Sequence, residues 1–118
     1  MGANEKLGLP RGDRMEKIAF AFDVDGTLID GEGTYVQTLS LLKELAYHKW
    51  KNVDVIVWSG GGADYARTIL NRIAPELDVK FYSKLQHAEL RKKYTKIIAV
   101  DDIQDTRLGD VNMIVRNK

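Results

Sequence analysis

The chain has no cysteine and only two prolines among its 118 residues, so disulfides and thiolate metal sites are absent. A cysteine-stapled secreted scaffold is thereby excluded, and at this length a core can bury roughly two thirds of the unfolded chain's surface unaided. Neither sign of charge dominates: 18 Lys and Arg against 17 Asp and Glu leave a formal net charge of +1. That balance argues against nonspecific phosphate-backbone binding as the default role, while nucleic acid as a substrate stays open. Long apolar runs are missing too. None approaches the roughly 20 residues of a membrane span, and positions 1–14 carry charges without an apolar signal core. The expectation is a cytoplasmic protein with no membrane partner, a flexible leader over 1–14 and a single folded domain over 15–118.

What the chain does contain is a recurring alternation of two patterns. Apolar segments rich in β-branched or aromatic residues occur at Lys17–Asp23, Val53–Ser59, Val79–Tyr82, Lys96–Asp101 and Val111–Val115, and each reads as a strand. Between them, helical spacing is clearest from Thr34 to Trp50, where Val36, Leu39, Leu42, Ala46 and Trp50 recur every three or four residues. Ala63–Ala74, stopped by Pro75, and Leu85–Tyr94 are the next two helices, and Asp102–Gly109 is at most a short one. Strands alternating with helices predict an α/β fold, a parallel sheet covered on both faces.

In such a sheet ligands bind beyond the carboxyl ends of the strands, and four of these ends carry polar groups. The first runs into Asp23-Val24-Asp25-Gly26-Thr27, the second into Ser59-Gly60-Gly61-Gly62, the third into Ser83-Lys84, and the fourth into Asp101-Asp102 with Asp105 nearby. Carboxylates at i and i+2 of an extended chain project to one side, so Asp23 and Asp25 can meet one ligand unless the chain turns sharply at Gly26. Crowded acids are costly without a cation among them, and oxygen donors in a cysteine-free chain favour Mg2+ over zinc. The glycines after Ser59 let backbone amides approach an anion at a helix start. Lys84 adds positive charge; Lys80 is its rival but sits within the strand. His48 and His87 read as surface or capping residues, Trp50 and Trp58 as core or edge aromatics, and Arg91-Lys92-Lys93 as a solvated face.

In order and chemistry these residues resemble the haloacid dehalogenase superfamily: DxDGT at the first strand end, Ser or Thr after the second, then a Lys, then an acidic pair. The resemblance spans Lys17 to about Val115 and rests most heavily on Asp23-Val24-Asp25-Gly26-Thr27. It implies a three-layer Rossmann-like fold with a five-stranded parallel sheet in the order 5-4-1-2-3. It further implies a Mg2+-dependent phosphomonoester hydrolase acting through an aspartyl phosphate, with Asp23 as nucleophile and Asp25 as general acid and base. Mg2+ would be held by Asp23, the Asp25 carbonyl, Asp101 and a second acid, either Asp102 or Asp105. Ser59, Gly60 and Lys84 would hold the phosphoryl group. A phosphoacceptor receiver domain fits less well, because the third strand ends in Tyr82-Ser83 without an acceptor aspartate.

Many relatives insert a cap domain after the first motif or before the lysine. Here Gly26–Trp58 holds only a Leu28–Gly33 flap with an Asp30-Gly31 turn, one helix and one strand, and Lys84 follows the third strand directly. The resemblance therefore implies a capless enzyme with an open site. Its phosphorylated substrate, a macromolecule or polynucleotide end included, is not specified, and a neighbour in a homo-oligomer is one source of a lid. A phospho-ligand binding module without turnover is the alternative outside enzymes.

Overall fold

The first strand alternates alanine with phenylalanine, and the two residue types go to opposite faces of the sheet. The computed structural model describes residues 16–31, 33–103 and 107–116. In it β1 (Ile18–Phe22) is central, paired in parallel with β4 (Val53–Ser59) on one side and β6 (Lys96–Asp101) on the other. β5 (Lys80–Ser83) and β7 (Val111–Ile114) form the edges, giving a five-stranded parallel sheet in the order β5-β4-β1-β6-β7. A separate antiparallel pair, β2 (Ile29–Asp30) and β3 (Gly33–Thr34), makes the flap after β1. Numbered along the chain over these five sheet strands alone, the order reads 5-4-1-2-3 as expected, and only the labels shift when β2 and β3 are counted. Counting five strands omitted these two-residue strands, which are too short to show any alternation.

Three α-helices are present among the described residues: α1 (Val36–His48), α2 (Ala63–Ile73) and α3 (His87–Lys93), the last preceded by a 3-10 turn at Lys84–Gln86. Leu39, Leu42 and Leu45 of α1 and Ala66, Ile69 and Leu70 of α2 pack with Phe22, Val55, Val57 and Val100 on one face. Leu90 of α3 packs with Ala19, Ala21, Ile56, Trp58, Tyr94 and Ala99 on the other. The small side chains on that second face leave room for the fully buried Trp58. Complete burial of a Leu or Phe in these layers contributes about 1.5–3 kcal/mol. Trp58, read above as a core or edge aromatic, is thus a core residue.

The long helix is shorter than its spacing suggested. Thr34 pairs in β3, Tyr35 caps α1, and Lys49 takes a left-handed conformation with φ of +50°. Val36 and Trp50 consequently fall outside the buried stripe and are 71% and 50% exposed. Trp50 instead stacks on His48 with ring centres 5.1 Å apart. Positions 1–14 and Asp105 lie outside the described residues. Among those described, only the β2–β3 flap stands between β1 and α1, and Lys84 follows β5 with no residue between.

Candidate active site

Strand register brings the acids together. Phe22 aligns with Val57 on β4 and with Val100 on β6, so Asp23, one residue on, stands level with Trp58 and Asp101. The Asp23 amide continues the ladder by donating to the Val100 carbonyl at 3.0 Å. Asp23 and Asp101 are both buried, 6% and 5% exposed, which isolated carboxylates do not tolerate. Lys84 supplies the compensation: its Nζ lies 2.8 Å from Asp23 Oδ1 and 2.7 Å from Asp101 Oδ2. Lys80 is committed elsewhere, donating to Asp54 Oδ2 at 3.1 Å.

The turn after β1 explains the remaining letters of the first motif. The Val24 carbonyl accepts from the amides of Thr27, Leu28 and Ile29, closing a tight turn that Gly26 enters with φ of +82°. That turn buries Thr27 completely and lets its hydroxyl donate to Asp23 Oδ2 at 3.0 Å. A Cβ on residue 26 would come within 2.6 Å of Asp102 Cγ, so glycine is needed for both its conformation and its close approach to this acid.

Asp23, Asp101 and Asp102 each offer an oxygen, and these oxygens lie within 4.8 Å of one another. An all-oxygen trio at this spacing suits a hard divalent cation. The electrostatics agree with a site short of positive charge. Burial pushes the Asp23 carboxyl up to about 6, against the opposing pull of Lys84 and Thr27. Burial and the neighbouring Asp101 also raise Asp102. Asp101 faces the same burial, but the Lys84 ammonium, Asp102 and the Ile103 amide hold it below the usual carboxylate range. Lys84 itself is raised: burial works against its charge, but its two carboxylate partners outweigh it.

Asp25 follows a different path. It lines the same cleft of about 420 Å³ as Asp23, Lys84, Asp101 and Asp102, but its side chain is exposed and lies outside the trio. Its Oδ1 accepts a 2.8 Å hydrogen bond from the Tyr65 hydroxyl of α2. Asp23 and Asp25, which the i, i+2 spacing puts on one side, thus line one cleft, with Asp25 outside the three-acid cluster. Tyr65 was not anticipated, because a tyrosine in a helix carries no signal for a partner forty positions away. Thr27 was legible only as a letter of the motif.

Ser59 ends β4 and is buried, its Oγ accepting from the Gly61 amide at 3.0 Å, while Gly60 is exposed. Gly62, with φ of +109°, leads into α2. Neither Ser59 nor Gly60 lines the carboxylate cleft; they occupy the adjoining strand end. His87, expected at the surface or at a cap, does line it, and its Nδ1 is buried with no partner among the described residues. Leu85, Ile103, Arg107 and Leu108 complete the wall. No family model, curated protein or solved structure matches the chain.

Proposed function

We propose that the protein is a capless Mg2+-dependent phosphomonoester hydrolase in which Asp23 is the nucleophile. The observation that carries this reading is the buried Asp23, held by Thr27 and Lys84 beside two further acids at one strand-end cleft. A structural ion pair needs one acid per lysine; here two buried carboxylates share Lys84 and a third acid stands beside them, an excess that binding a cation relieves.

Asp23, Asp101 and Asp102, with the main-chain carbonyl of Asp25, would hold Mg2+, which when bound supplies positive charge that offsets repulsion between the nucleophile and the phosphate. An Asp23 carboxylate oxygen attacks phosphorus, the bond from phosphorus to the ester oxygen breaks, and that oxygen takes the proton of the Asp25 carboxyl. Asp25, now a carboxylate, removes a proton from water; the hydroxide attacks phosphorus, the acyl phosphate bond breaks, and phosphate leaves with Asp23 restored. Dividing the hydrolysis replaces one difficult displacement with two assisted ones. Lys84 neutralises phosphoryl charge. Ser59, whose oxygen already accepts from Gly61, keeps its proton to donate to a phosphoryl oxygen beside the Gly60 amide.

The test is phosphate release from an aryl phosphate with and without Mg2+. Asp23→Asn is expected to abolish it, and Asp25→Asn to reduce it at least about 100-fold. Equal rates for the wild type and Asp23→Asn would remove the nucleophile and with it the reading.

A further inference from the structure

Two large apolar side chains stand in solvent at the mouth of this charged cleft. Leu85 is 83% exposed and Ile103 is 68% exposed, and both line the cleft. Each is fixed by its backbone. Leu85 lies in the turn Lys84–Gln86, whose ends are tied by the Leu85 amide donating to Ser83 Oγ at 3.1 Å and the Ser83 amide donating to Gln86 Oε1 at 2.9 Å. The Ile103 amide donates to Asp101 Oδ1 at 3.1 Å. Each also directly follows a charged residue of the cleft, Leu85 after Lys84 and Ile103 after Asp102. Its Cα therefore stands about 3.8 Å from that of a group assigned to the phosphate or the metal.

We propose that Leu85 and Ile103 form a leaving-group slot that takes the flat aromatic ring of a small phosphomonoester. This rests on the phosphatase reading above, which puts phosphorus at Asp23 and so directs the ester substituent toward the mouth. Where a polyhydroxylated sugar met Leu85, Ile103 and Leu108, its hydroxyls would lose water against side chains that offer no hydrogen bond. An aromatic ring has two apolar faces, which aliphatic side chains cover at no such cost. The cleft volume of about 420 Å³ lies in the range of pockets that enclose small molecules, about 300–1,000 Å³.

Calorimetric titration in Mg2+ with two non-hydrolysable probes, naphthylmethylphosphonate and methylphosphonate, reads the slot directly. Wild-type protein is expected to bind the ring-bearing probe about 10-fold more tightly. Leu85→Ser and Ile103→Ser should each lower that ratio, the double substitution should bring it near one, and Leu85→Phe should preserve it. Both positions are exposed, so the serine variants are expected to keep the wild-type melting temperature. A wild-type ratio of one, no binding of either probe, or a ratio unmoved by both serine substitutions overturns the slot. Phosphate release from phenyl phosphate by the wild type and by Asp23→Asn is followed in parallel. Release without ring preference removes the slot and leaves the phosphatase reading standing. Ring preference that the serine variants abolish, without any release, removes the phosphatase reading and leaves a binding site for aromatic phosphates.

Discussion

The Tyr65 hydroxyl donates a 2.8 Å hydrogen bond to Asp25 Oδ1, joining the second helix to the turn after the first strand. Its partner is the carboxyl proposed to exchange protons with the leaving group and then with water. The acid bond also raises the Tyr65 hydroxyl above its ordinary range, with some burial adding to the effect, so the phenol remains a donor throughout the neutral range. Tyr65 acts through Asp25 and is a positioning residue.

Tyr65→Phe removes this donor and keeps the ring that packs beside Gly61. The expected outcome is a fall of about 10-fold in kcat with KM little changed, because orientation of the proton donor is lost while phosphate contacts remain. Thermal unfolding should show a melting temperature within about 4 °C of the wild type, since a half-exposed hydrogen bond contributes about 0.5–1 kcal/mol. An unchanged kcat alongside a large loss of stability would make the contact purely structural.

Gly26→Ala places a Cβ in a left-handed residue and against the Asp102 carboxyl. The strain and the displaced acid should cost about 1–3 kcal/mol of stability. They should also weaken divalent-ion binding, measured as a smaller rise in melting temperature on adding Mg2+ than the wild type shows. An equal rise in both proteins would remove Asp102 from the ion site.

Asp54 forms a separate network at the amino-terminal end of the sheet, accepting from the Tyr94 hydroxyl at 2.6 Å and from Lys80 at 3.1 Å, with Lys17 at 3.7 Å. Burial opposes its charge, but these three partners together lower the carboxyl below its ordinary value of 3.8. The stability it contributes is therefore fully present above about pH 4 and is lost as pH falls through the lower, folded-state value. Asp54→Asn should cost about 1.5 kcal/mol at neutral pH, and the difference from the wild type should shrink in denaturant titrations below pH 4. A difference that persists at the lowest pH would assign the loss to packing.

The acids at the strand ends were legible because parallel strands expose their carboxyl ends at one edge, and Asp23 and Asp101 follow apolar runs directly, with Asp25 two residues after Asp23. The α1 boundaries were less legible. Val36 and Trp50 keep the helical spacing, but the left-handed Lys49 ends the helix before Trp50, a choice that periodicity alone does not encode. The flap strands were hidden for another reason: two residues are too few to show a period, and their pairing depends on the turn that Gly26 begins.

The two lysines mark the division between sequence and tertiary structure. By itself the sequence determined an alternating α/β chain with a parallel sheet, acids at its strand ends and no room for an insertion before Lys84, because periodicity and spacing act locally along the chain. Only the tertiary structure decided that Lys84 sits between Asp23 and Asp101 while Lys80 joins Asp54. It also decided that Asp25 accepts from Tyr65 while Asp102 joins Asp23 and Asp101. Those pairings come from the register between strands and from one turn with positive φ. Each joins residues far apart in the chain, where burial, rather than proximity in sequence, decides which charges meet.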